Sequence, residues 1–124
     1  MTVRLRFRRV STIVVCALLL IAVREYASDA VSRKTATECI NVTSQSRLYR
    51  AQSCVTGGNG SVEYYVGRLY DANSGALLAR TDFDSMDGGA PEFMPDESAV
   101  LFKGSNAGID IPPNWRDRLR AKLP

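Results

Sequence analysis

The chain has 124 residues, with 16 Lys and Arg against 13 Asp and Glu and no histidine. Without imidazole the commonest general base is missing, and with it the Ser-His-Asp and Cys-His nucleophile systems. The net charge of +3 sits in the N-terminal segment, because residues 31–124 hold eleven bases and eleven acids; no basic excess is left there to neutralise nucleic-acid phosphates.

Arg4, Arg6, Arg8 and Arg9 precede an apolar run from Val10 to Val23 that only Ser11 and Thr12 interrupt. This is the basic n-region and apolar h-region of an export signal. Fourteen residues make roughly 21 Å of helix, short for a bilayer core of about 30 Å, although Arg9 and Arg24 can snorkel and lengthen the span. Ser28-Asp29-Ala30 places small residues where a signal peptidase reads, whereas the charged pair Arg24-Glu25 suits a retained segment. Residues 1–30 are therefore a cleaved signal peptide or a signal anchor, and both orientations keep the arginine-rich end inside and put the remainder outside the cytoplasm. Cys16 follows Val15, which is not small, and Leu18-Leu19-Leu20 continue the apolar run, so no lipobox is read there.

Residues 31–37 are polar and small and read as a linker before a single domain over 38–124. A domain of that size is marginal on burial alone. Cys39 and Cys54 are the only cysteines beyond the leader; an even count in an oxidising compartment predicts a disulfide. Closing that loop adds on the order of 3 kcal/mol by restricting the unfolded chain. Cys39, Ile40 and Val42 suggest a first strand and Arg47–Val55 a second, of mixed polarity. Thr56–Ser61 is a turn cluster. Val62–Asp71 and Ala76–Phe83, joined by Ala72-Asn73-Ser74-Gly75, make the clearest hairpin. Asp84–Glu92 reads as a loop and Phe93–Glu97 as a corner into an apolar strand, Ala99–Lys103. After a turn at 104–108, Ile109–Ile111 is a short extended piece.

Pro112-Pro113 stiffens the approach to Asn114, an N-cap for a helix from Trp115 to about Leu123. Trp115, Leu119 and Leu123 fall on one stripe, which predicts that Trp115 anchors the helix against the sheet. The fold class is mainly β: a small antiparallel meander of five or six strands with a short C-terminal helix, behind an N-terminal export or anchor helix. The stretch from Leu69 to Phe102 also resembles one blade of a β-propeller, but it occurs once, so the likeness is shared hairpin chemistry.

Candidate chemistry is sparse. Gly57-Gly58-Asn59-Gly60 lacks the Lys-Ser/Thr and the helix of a phosphate loop. The carboxylate pairs Asp82/Asp84 and Asp96/Glu97 have little room for a cleft in so small a sheet. A calcium loop starting at Asp82 fails, because Met86 takes a ligand position and Met94 stands where the closing Glu belongs. No catalytic, metal or cofactor residues are assigned, and the chain reads as one that acts by binding. Six acids, Asp82, Asp84, Asp87, Glu92, Asp96 and Glu97, occur between Thr81 and Phe102 with no base among them, while Arg116, Arg118, Arg120 and Lys122 crowd the end. Such segregated charge reads either as a solvated acidic loop and a solvated basic helix, or as a patch that meets a charged partner and speeds encounter.

Tyr64–Asp84, the Pro-x-Phe-Met-x-Asp corner at Pro91–Asp96 and Ile111–Pro124 together carry a family likeness. They resemble small envelope proteins that serve as immunity proteins of type VI secretion lipase effectors. Pro112, Pro113, Trp115, Arg118 and Leu119 match that family's Pro-Pro-x-Trp-x-x-Arg-Leu tail. The resemblance covers residues 62–124 and departs from the family in lacking a lipoprotein cysteine. It implies a periplasmic protein that binds a toxic phospholipase and blocks it, with the acidic segment from Asp82 to Glu97 facing the effector, since loops on a rigid sheet carry recognition. The alternative is an inner-membrane-anchored structural or assembly protein of the envelope.

Overall fold

The computed structural model describes residues 2–124, with side chains from Arg8 onward, so the side chains of Arg4 and Arg6 lie outside the described residues. The chain divides into two units, residues 1–34 and 35–124. The first is one helix, α1 (Thr2–Lys34), whose apolar side chains between Val10 and Val23 are exposed. Its stretch from Arg8 to Lys34 is long and apolar enough to cross a membrane, a property that signals and anchors share. The expected linker at 31–37 is corrected here. Val31–Lys34 continue α1, and Thr37 already opens the first strand. Arg33 and Lys34 are good helix formers, and their cations favour a helix C-terminus, which outweighs the polar character that suggested a linker.

The second unit holds seven antiparallel strands in two sheets. β1 (Thr37–Thr43), β2 (Tyr49–Gly58), β3 (Glu63–Asp71) and β4 (Leu77–Ser85) form the larger sheet in that order. β5 (Pro91–Phe93), β6 (Ala99–Phe102) and β7 (Gly108–Asp110) form the smaller. The mainly β meander expected from the sequence is present, divided over two layers, and β5 emerges from what reads as loop. Pro91 is tolerated there because β5 is an edge strand, paired only with β6.

Period-2 alternation gives the larger sheet an inner face. Pairing sets Ala51, Leu69 and Ala79 in one row, Ser53, Gly67 and Thr81 in the next, and Val55, Tyr65 and Phe83 in a third. The smaller sheet lays Val100, Phe102 and Ile109 on these rows to complete the core. The ring of Phe102 occupies the space above Gly67, where any Cβ would collide with it. Tyr65 stacks on Phe83 at 5.3 Å between centroids, and Phe83 on Phe102 at 4.5 Å. Each fully buried side chain of this size contributes roughly 1.5–3 kcal/mol.

The predicted Cys39–Cys54 disulfide joins β1 to β2 with a Cα separation of 4.1 Å. The β3–β4 turn forms as its residues dictate. Asp71 Oδ1 accepts the N–H groups of Asn73 and Ser74 at 2.8 and 2.9 Å, and Gly75 takes φ 74° without a Cβ clash.

The last element is α2 (Trp115–Lys122), capped by Asn114 as expected: its Oδ1 accepts the Asp117 N–H at 3.0 Å. The orientation of α2 is the correction. Trp115 is 64% exposed and Leu119 and Leu123 are also exposed, while Asp117 is turned inward at 5% exposure. The inner edge of α2 is polar and bonded. Asp117 accepts from Asn114 Nδ2 at 3.1 Å and from Arg120 Nη1 at 3.3 Å, and the buried Arg80 of β4 donates to the Leu123 carbonyl at 2.9 Å. The first two bonds satisfy the buried carboxylate within the helix and its cap, and the third satisfies a last-turn carbonyl and ties α2 to β4.

Candidate recognition faces

The outer face of the larger sheet carries a polar array that alternation sorts away from the core. Asn41, Gln52, Arg68 and Arg80 stand in one row, one residue from each strand, with Thr43, Arg50 and Tyr70 in the row beside it. Cross-strand bonds fix the array. Asn41 Oδ1 accepts from Arg50 at 2.7 Å and from Gln52 Nε2 at 3.1 Å. Gln52 Oε1 in turn accepts from Arg68 at 3.2 Å and from the Tyr70 hydroxyl at 3.4 Å. The Arg50 guanidinium lies 4.2 Å over the Tyr70 ring, a cation–π contact that orients its plane. Arg68 also reaches the Cys54 sulfur at 3.7 Å, so the disulfide borders this face. Planar guanidinium and amide donors held this way suit carboxylates and backbone carbonyls of a partner.

The six acids singled out from the sequence do not form one patch. Asp82 and Asp84 are exposed on the outer face of β4 and, with Gly104, Ser105, Asn106 and Ala107, line an open depression of about 580 Å³. Asp87, in the loop after β4, pairs with Lys103 at 3.5 Å. Glu92 is exposed on β5. Asp96 and Glu97 lie at the opposite end of the sandwich, in the β5–β6 turn. Asp96 Oδ1 accepts from the Ser98 N–H at 3.1 Å and its hydroxyl at 2.6 Å. Glu97, at φ 55°, accepts from the Ser46 N–H at 3.2 Å and its hydroxyl at 2.9 Å, which ties this turn to the β1–β2 turn. These bonds stabilise the ionised forms: Ser98 holds the Asp96 carboxyl, and Ser46 the Glu97 carboxyl, below the usual range.

The tail motif is split by role. Pro112 and Pro113 lead into α2 (Trp115–Lys122), and Trp115, Arg118 and Leu119 line a groove of about 390 Å³ against Leu77 and Leu78 of β4. Burial pushes the Asp117 carboxyl above its ordinary value, opposed by Arg120 and Asn114 and reinforced by Asp110. Among the described residues no cluster of three or more His, Cys, Asp or Glu could hold a metal ion.

Asn41, Arg50, Gln52, Arg68 and Tyr70 were missed in reading the sequence because their polar groups are spread over three strands. Their only linear trace is i, i+2 spacing, Arg50 with Gln52 and Arg68 with Tyr70. No known protein family, curated protein or solved structure matches the chain.

Proposed function

We propose that the chain is an exported, non-enzymatic protein whose folded unit binds a protein partner in the periplasm, in the manner of an immunity protein that neutralises a secreted lipase toxin. The observation that supports this most is the outer sheet face, where Asn41 and Gln52 hold Arg50, Arg68 and Tyr70 in fixed positions. A face ordered before binding loses little conformational entropy on contact. Asp82 and Asp84 add acidic groups beside it, and Asp87 stands at the same end, so one surface offers both signs of charge to a partner. An N-terminal apolar helix and a disulfide agree with a home outside the cytoplasm.

The test is co-expression of the full chain with the product of its adjacent gene directed to the periplasm. Protection is expected from the parent and loss of protection from the double variant Asp84→Lys with Asp87→Lys, provided its Cys39–Cys54 bond and β-sheet spectrum are intact. An outcome in which the folded double variant protects fully removes the acidic end from the interface, and absence of protection by the parent removes the immunity reading. The unbroken helix across Ser28–Ala30 favours a second reading, in which residues 1–30 persist as an anchor for an envelope assembly role. N-terminal sequencing of the mature protein separates the two, with Met1 expected for the anchor and Val31 for cleavage.

A further inference from the structure

The orientation of α2 leaves an unsolved cost. An amphipathic helix ordinarily covers its apolar stripe, yet this one buries Asp117 and leaves Trp115, Leu119 and Leu123 in water. At about 100° per residue the stripe lies nearly opposite Asp117. Arg116 borders it on one side, its guanidinium 5.4 Å over the Trp115 ring, and Lys122 and Arg118 border it on the other. The only acid of the helix, Asp117, is withdrawn against the sheet, so the outward surface carries apolar groups and cations alone.

We infer that α2 is a membrane contact: its outward stripe docks on an anionic phospholipid surface, with Trp115 at the level of the headgroups and Arg116 and Lys122 against the phosphates. An exposed apolar stripe flanked by cations matches a deformable lipid interface, where tryptophan is favoured because its ring is apolar and its N–H still finds a partner. Anionic lipid supplies the complementary charge and draws on each nearby Lys and Arg. The same chain carries α1, of membrane-spanning length and composition, and only Thr35 and Ala36 separate it from β1. If α1 is retained, the chain meets the bilayer at high effective concentration, and a weak surface contact then suffices.

Trp115 is the only tryptophan in the chain, which makes its emission a report on α2 alone. The full chain is reconstituted in vesicles of phosphatidylcholine and, separately, of phosphatidylcholine mixed with phosphatidylglycerol, each also prepared with brominated acyl chains. In the anionic vesicles the emission is expected to shift to the blue, to be quenched by brominated chains and to be shielded from acrylamide. High salt, or Arg116→Glu with Lys122→Glu, both at exposed positions, should abolish all three effects. Emission and accessibility identical in neutral and anionic vesicles would overturn the inference and leave the stripe to an acidic protein. Shielding that grows with protein density in neutral vesicles would overturn it equally, in favour of a second copy of the chain.

Discussion

Gly67 shows how one position decides the packing of two sheets. It faces the core on β3, and the Phe102 ring from β6 fills the volume that a side chain would take. Gly67→Ala forces that ring off its stacked position on Phe83, so a loss of roughly 1–3 kcal/mol is expected, read as a lower urea midpoint; an unchanged midpoint would show that the sheets are not in close contact there. Tyr65, in the same stack, has its pKa pushed up from 10.0 to about 12, first by burial and then by its hydrogen bond to Glu63 and that group's charge. The folded state therefore prefers the neutral phenol. The stability this contributes is whole below about pH 10 and is lost as pH rises toward about 12. In an ultraviolet titration one of the five tyrosines should ionise late, and Tyr65→Phe should remove that part of the alkaline loss. The carboxyls of Asp71, Asp96 and Glu97 behave in the opposite sense. Turn N–H groups and hydroxyls lower all three, so their contribution is present above the ordinary carboxylate range and disappears as pH falls through the lowered values. Glu97→Gln should flatten the acid side of the stability curve, and a curve unchanged from the parent would contradict the Ser46 contact. Asp117, raised by burial, runs against them, its contribution fading as pH rises through its shifted value.

The elements differ in how far local sequence specifies them. The β3–β4 hairpin, the Cys39–Cys54 bond and the Asn114 cap were all legible, because each depends on residues near one another or on a simple count. The cap is worth testing: Asn114→Ala removes the acceptor for the Asp117 N–H and a bond to its carboxylate, and should cost about 1 kcal/mol, seen as faster hydrogen exchange confined to α2. Exchange unchanged in that helix would mean that Arg80 and the Leu123 carbonyl hold it alone. The split of the meander into two sheets was not legible, since nothing local distinguishes a strand that pairs with β4 from one that turns to cover it. β5 escaped notice because three residues with a proline carry no period. Periodicity did locate the Trp115, Leu119 and Leu123 stripe, yet it is silent on direction; Arg80, more than thirty residues earlier, and Asp117 set which side faces the sheet. The acidic segment failed as a single patch for a similar reason. A run of like charges in sequence is divided when the chain folds back, and Asp96 and Glu97 become turn ligands at the far end from Asp87.

Taken together, the protein is a membrane-length helix followed by a small two-layer sandwich that relies on one covalent staple. The sandwich has a core of a few large side chains, and its disulfide closes a loop with a sequence separation of 15. Replacing Cys39 and Cys54 with serine should therefore cost on the order of 3 kcal/mol, a large share of the stability of so small a domain. That dependence links the fold to its compartment, because the staple persists only where thiols are kept oxidised. An oxidising compartment is therefore where the outer polar face and the exposed stripe of α2 are to be tested. Thiol alkylation of the natively expressed chain, quenched before lysis and read peptide by peptide, tests this directly. Export predicts that the Cys39 and Cys54 peptides label only after reduction, whether or not the free Cys16 is retained. Full labelling of Cys39 and Cys54 before reduction, on a chain that still begins at Met1 in the cytosolic fraction, would contradict it.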